Sequence, residues 1–164
     1  MNIYTPYLMT VAEIIEETYD TKTMKLLFQD EAVAKSFAFK AGQFGLYSAF
    51  GEGESTFCIA SSPTKQGYIE CCFRKSGRVT KALFNSEVGD TIGFRGPYGN
   101  CFPLDKFQGK DIVFIAGGIG LAPIRSVIWN CLDLRSDAHE RSAPHPKASG
   151  RQQFGKITII YGAR

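Results

Sequence analysis

Apolar and polar positions alternate with a period of two through most of the first hundred residues, then give way to continuous apolar runs and a helical stripe. Alternating segments run through YLMTVAEIIEET (7–18), TKTMKLLFQ (21–29), GQFGLYSAF (42–50), STFCIASS (55–62), GYIECCFRK (67–75) and DTIGFRG (90–96), with turn residues between them. Six short strands with glycine-rich corners predict a small closed antiparallel barrel, a form that leaves no unpaired edge. Between the fifth and sixth, GRVTKALFNSEVGD (77–90) breaks the alternation. There Val79, Ala82, Leu83 and Phe84 line one face of a short helix, ended by Gly89. No helix longer than two turns is expected before residue 100.

From Lys106 the pattern becomes strand, helix, strand. DIVFIA (111–116) is apolar throughout, as in a parallel strand covered on both faces. Ile124, Val127, Ile128, Cys131 and Leu132 recur at helical spacing and define one buried stripe. KITIIYGA (156–163) then supplies a second parallel strand and completes a right-handed βαβ unit. The expected architecture is therefore a barrel over residues 1–104, followed over 105–164 by the first βαβ unit of a Rossmann-like half. Residues 135–155 are polar and aperiodic and read as a mobile surface loop.

Composition narrows the function classes. The chain has 164 residues, 44% hydrophobic, enough for a real core in one domain or two small ones. Its net charge of +3 is spread without a Lys/Arg block, so no nucleic-acid surface is expected. No basic n-region leads an apolar h-region, and no run approaches the roughly 18 apolar residues of a membrane span. Five cysteines, an odd number with no CxxC pair, fit reduced thiols in a cytoplasm. Cys71 and Cys72 are neighbours on a strand and point to opposite faces, so one metal could hardly take both. His139 and His145 sit in the polar loop without ligand partners, and no metal site is expected.

The chemistry concentrates in AGGIGLAP (116–123). Gly117 and Gly118 allow a sharp turn off the strand, and Gly120 removes a side chain where a pyrophosphate would approach. Pro123 fits a first helical turn, where its missing N–H is not needed. Free amides and the positive helix end at Gly117, Gly118, Ile119, Gly120 and Ala122 favour an anion. Taken alone, three glycines after an apolar strand also fit a plain tight turn.

In order, AGQF (41–44), STFCIASSP (55–63), SGRVTKAL (76–83), VGDTIGFRGPYGNCF (88–102) and GGIGLAP resemble the ferredoxin reductase-like flavoproteins. Members of that family join a flavin-binding barrel to a nicotinamide-binding Rossmann half. GPYGN before an aromatic is most similar to the flavin subunits of iron-sulfur assemblies, of the sulfhydrogenase gamma, anaerobic sulfite reductase and dihydroorotate dehydrogenase electron-transfer types. The resemblance implies FAD as cofactor, NAD(P)H as substrate and iron-sulfur electron-transfer subunits as partners. It implies that Phe57, Cys58, Ile59 and Ala60 border the flavin ring, with Cys58 nearest the reacting edge. Gly77, Arg78, Val79 and Thr80 would hold the flavin pyrophosphate at a helix start, with charge from Arg74 or Arg78. Pro97 would border the nicotinamide cleft.

Three departures accompany the resemblance. Ser55 stands where many members have a phosphate-neutralising arginine, and Cys58 where many have a hydroxyl donor. The third is length: a nicotinamide half would need more strands, so the natural chain is expected to continue or a neighbouring subunit to complete it. Arg164, after the last strand, tilts the reading toward NADP(H). The reading is an FAD-dependent electron-transfer subunit. A non-catalytic flavin-binding scaffold and a free-standing flavin reductase stay open beside it.

Overall fold

A computed structural model describes residues 4–135 and 154–163. Most of the expected loop, with His139 and His145, and all of Arg164 lie outside the described residues. Strands β1 (Tyr7–Thr18), β2 (Thr21–Phe28), β3 (Phe44–Ala49), β4 (Gly53–Cys58), β5 (Tyr68–Arg74) and β6 (Thr91–Tyr98) form an antiparallel sheet in the order β4-β3-β6-β1-β2-β5. The two end strands meet through one bridge, Ile59 opposite Cys71, and through the Ala60 N–H donating to the Glu70 carbonyl at 2.7 Å. The sheet thus curls into the expected barrel, pinned at one end of the β4–β5 seam.

Inward residues of the alternating pattern make its core: Met9, Val11, Met24, Leu26, Tyr47, Ile69, Cys71, Phe73, Ile92 and Phe94 are all essentially inaccessible. The Phe94 ring is accommodated because residue 45 on β3 is glycine; a Cβ there would overlap the ring. Two helices plug the barrel. One, α1 (Glu31–Ser36), was not singled out in the alternating pattern. It starts at Asp30, whose carboxylate accepts the amides of Ala32 and Val33, and it carries Val33 and Ala34, with Phe37 just beyond, onto the core. The other, α2 (Arg78–Phe84), buries Leu83 and stops at Asn85, earlier than expected. Gly89 belongs instead to the turn entering β6, with φ +100° and its N–H bonded to the Val11 carbonyl.

The second part has β7 (Ile112–Gly117), α3 (Leu121–Arg135) and β8 (Ile157–Gly162), with the strands parallel and in register from Ile112–Ile157 to Gly117–Gly162. One expectation is corrected here. The strand is not covered on both faces by described residues: Ile112, Phe114 and Ala116 pack under α3, whereas Val113 and Ile115 are exposed. The helical stripe is also narrower than expected, since Val127, Ile128 and Cys131 are buried but Leu132 is 37% exposed.

Polar contacts sew α3 to the chain leaving β4 and to β5. Ser126 Oγ donates to the Ser61 carbonyl at 2.7 Å, Arg125 pairs with Glu70 at 2.9 Å, and Asp133 meets Thr64 and Lys65. On the barrel, Arg95 of β6 grips Glu54 of β4 through two bonds of 2.6 and 2.9 Å, and Ser48 adds a third. The Arg95 guanidinium holds the Glu54 carboxyl below its usual range, with Ser48 helping.

Two outcomes follow from this packing. Gly45→Ala forces the Phe94 ring to move and should cost about 1–3 kcal/mol in denaturant unfolding. For Glu54, the folded carboxyl titrates below its unfolded value of about 4.3, so its contribution is full above that pH and disappears as pH falls through the depressed value. Glu54→Gln should therefore unfold more easily than the parent at pH 7, with the gap closing in the acid limb of a pH–stability profile.

Candidate flavin and dinucleotide site

The residues expected at a redox site fall into three places, each set by local backbone. The first is the end of β4. The Phe57 ring is half-buried, 5.5 Å from Tyr47 and 5.3 Å from Phe73, so part of it serves the core and part faces outward. Cys58 is half-buried beside it, and burial raises its thiol pKa, keeping it neutral. Ile59 and Ala60 are inaccessible, and their amides are already bonded to the carbonyls of Gln43 and Glu70. They form the floor of this end of the seam and have no donor to offer.

The second place is the start of α2. Thr80 is buried, and its hydroxyl accepts the amides of Ser76 at 2.9 Å and Gly77 at 2.7 Å while donating to the Gly77 carbonyl. The hydroxyl expected to reach a phosphate is thus used to shape the helix start, and the Gly77 amide with it. What remains open are the amides of Arg78, Val79 and Thr80, which have no acceptor among the described residues. A Cβ built on Gly77 would meet nothing within 4 Å, so the approach is clear. Both nearby cations are paired: Arg78 with Glu52 at 2.5 Å and the Gly51 carbonyl at 3.2 Å, Arg74 with Asp20 at 2.8 Å. Asp20 is itself held in the charged form, first by the Thr18 hydroxyl, then by Thr21 and Arg74.

The third place is the turn after β7. Gly117 ends the strand, and Gly118 to Gly120 make one turn of 3-10 helix that runs directly into α3. Gly118 has φ +51°, the left-handed region that favours glycine. Leu121 donates back to Gly118 and Ile119, and the amides of Gly118, Ile119 and Gly120 have no acceptor outside the helix and strand ladders among the described residues. Pro123 lies in the first turn of α3, as its chemistry requires.

A cleft of about 980 Å³ brings this turn against the barrel. Gly117, Gly118, Ile119 and Ala122 form one wall, and Thr23, Cys72 and Arg74 lie on the opposite one. The cleft therefore joins Arg74 to the glycine turn, whereas Phe57 to Ala60, the α2 start, Gly120, Pro123 and Pro97 lie beyond its lining. Pro97 follows a cis peptide near the end of β6, next to Tyr98, which pairs with Phe44 as Phe44 pairs with Cys58. It is two strands from Cys58 across β3. Thr23 and Cys72, paired across β2 and β5, were not anticipated; an outward Thr–Cys pair carries no signal until the strand register is known.

The other unanticipated residue is Tyr47. Its hydroxyl is the one buried side-chain polar atom without a hydrogen-bond partner among the described residues. An inward tyrosine in an alternating strand is a legible warning, since buried phenols usually find a partner. Together with two open amide turns and clear space over Gly77, Gly118 and Gly120, this donor set fits a diphosphate-containing cofactor. Among the described residues, no three His, Cys, Asp or Glu side chains converge as a metal site would require, and no helix is long and apolar enough to cross a membrane.

Comparisons with known proteins agree with this geometry. Residues 9–102 match the family described as oxidoreductase FAD-binding domain. The chain is 43% identical over 164 residues to sulfhydrogenase 2 subunit gamma of Pyrococcus furiosus, covering 100% of this chain and 51% of that protein. It is 36% identical over 124 residues to a probable dihydroorotate dehydrogenase B (NAD(+)) electron transfer subunit of Methanocaldococcus jannaschii, covering 75% and 42%. It thus spans about half the length of the curated relatives it matches. Phthalate dioxygenase reductase shares the fold with a TM-score of 0.73 at 16% identity, over 96% of this chain and 43% of that one. Ferredoxin-NADP+ reductase from Plasmodium falciparum does so with 0.72 at 17%, over 96% and 59%.

The thiols give a direct check of burial. Burial raises the pKa of Cys58, Cys71, Cys72 and Cys131, that of Cys131 to about 11, while Cys101 is exposed. Iodoacetamide at pH 8 should label Cys101 well before the other four in the native protein, read by peptide mass mapping, and all five at similar rates in denaturant.

Proposed function

Because the chain belongs to the oxidoreductase FAD-binding domain family, we propose that it is the flavin-carrying part of an electron-transfer subunit that passes electrons between NAD(P)H and an iron-sulfur partner. The observation that carries this reading is the cleft that sets Gly117, Gly118 and Ile119 opposite Thr23 of β2 and Cys72 and Arg74 of β5. The names of the relatives support it: a sulfhydrogenase gamma subunit and an electron transfer subunit.

In this reading the amides of Arg78, Val79 and Thr80 receive the flavin diphosphate at the positive end of α2. Phe57 and Cys58 border the ring, with Cys58 as a neutral, weak donor. The amides of Gly118, Ile119 and Gly120 receive the nicotinamide dinucleotide phosphates at the start of α3, and Arg74 supplies a partly neutralised positive charge across the cleft. Bound FAD supplies the exchange between paired electrons on the nicotinamide side and single electrons on the iron-sulfur side. The protein's task is placement and exclusion of water, so it needs no nucleophile or acid/base pair. The barrel over 1–104 and the βαβ unit over 105–164 divide these two tasks.

The test uses the full-length protein with any subunits that co-purify. Flavin absorption should be present or appear on adding FAD, and anaerobic NADH or NADPH should bleach it. A colourless protein that takes up no FAD removes the reading; a bound flavin that neither nucleotide bleaches leaves a flavin carrier without nicotinamide turnover and overturns the NAD(P)H part. Gly118→Val should raise KM for the nicotinamide about tenfold, through about 1–3 kcal/mol of backbone strain at φ +51°, and leave FAD content unchanged.

A further inference from the structure

Tyr47 sits on β3 opposite Ser55 of β4 and is wholly inaccessible. Its ring lies among Phe94, at 5.1 Å, and Phe57, at 5.5 Å. Burial, with lesser contributions from Cys71 and Cys58, keeps the phenol in its neutral, donating form. Burying a hydroxyl without a partner is costly, and an unpartnered one in a folded protein calls for an explanation. An ordinary core position would be filled as well by phenylalanine, which this barrel uses at Phe28, Phe73 and Phe94.

The position of the hydroxyl supplies the explanation. β4 and β5 are joined at Ile59–Cys71 and by the adjacent Ala60 amide on the Glu70 carbonyl, and along the rest of the seam no ladder pairs them. Of the rings around Tyr47, Phe57 alone is partly exposed, so the way to the hydroxyl from outside runs past Phe57. A ligand with its diphosphate on the α2 amides and its ring at Phe57 and Cys58 lies along this seam.

We propose that Tyr47 is a flavin-binding residue: with Phe57 turned outward, its hydroxyl donates to a polar atom of the flavin nucleotide lying in the β4–β5 seam. This rests on the reading that the seam holds FAD. It gives the binding site a neutral donor on the strand facing Ser55, a position that itself offers no charge.

Tyr47→Phe tests it, because the ring is kept and only the oxygen is lost. The apo variant should unfold at the same denaturant concentration as the parent or a higher one, since an unsatisfied buried group has been removed. FAD titration by flavin fluorescence should show Kd raised by about threefold to tenfold, the loss of one neutral hydrogen bond, and the FAD-induced rise in Tm should shrink. Those opposite changes are the signature of a hydroxyl kept for a ligand. An unchanged Kd, or an apo form that loses stability or fails to fold while any bound FAD is held as tightly as before, overturns the assignment and makes the hydroxyl part of the core. If the parent protein takes up no FAD, the seam reading and the Tyr47 assignment fall together; if it binds FAD and the variant binds equally well, only Tyr47 is excluded.

Discussion

The structure depends on how an antiparallel barrel closes. Six strands can satisfy every backbone group only if the first and last edges meet, and here they meet at a single bridge, Ile59 with Cys71, with one further amide bond from Ala60. Full pairing of β4 with β5 would seal the sheet and leave no entrance. Pairing at one end pins the barrel and leaves the rest of the β4–β5 edge without ladder bonds, with the Tyr47, Phe57 and Phe73 rings packed together on its core side. The glycine at position 45 belongs to the same constraint, since it lets the Phe94 ring fill the barrel while the Tyr47 ring packs beside it.

On the proposed reading, anion recognition in this chain falls to the backbone. The arginines nearest the start of α2 are bound to carboxylates: Arg78 to Glu52, Arg74 to Asp20. Thr80, which from its position could have been a phosphate ligand, spends its hydroxyl in capping Gly77 and Ser76. What is left over at both helix starts is the same resource, three consecutive amides in the field of a helix end. Donors of this kind are fixed in direction by the fold and do not titrate. Their geometry survives the absence of a cationic side chain at Ser55.

The barrel strands and the βαβ unit were legible because their cause is local: period-two alternation and a helical stripe are properties of neighbouring residues. The limits of that legibility are equally physical. The helix α1 is only six residues long, and its signal is one capping aspartate, Asp30, easily lost between two strands. The all-apolar run of β7 implied cover on both faces, yet only its Ile112, Phe114 and Ala116 face is packed among the described residues. The candidate phosphate-site residues were visible as motifs, but which of their donors are free depends on side-chain partners that the motifs do not specify, such as Thr80 on Gly77 and Glu52 on Arg78. Thr23, Cys72 and Tyr47 could not be placed at the site from sequence, because their neighbours there come from strand register across the barrel.

On the proposed reading, the stitching of α3 to β5 and to the segment that leaves β4 has a kinetic consequence. Ser126 to Ser61, Arg125 to Glu70, and Asp133 to Thr64 and Lys65 are spread along the helix on one flank, so they act as a brace more than as a hinge. The gap that would admit a dinucleotide is then held at a set width before anything arrives. Its occupation would then be a matter of collision and orientation, with no closing motion in series, and the time per turnover would pass to whatever must leave the gap or carry electrons away from it.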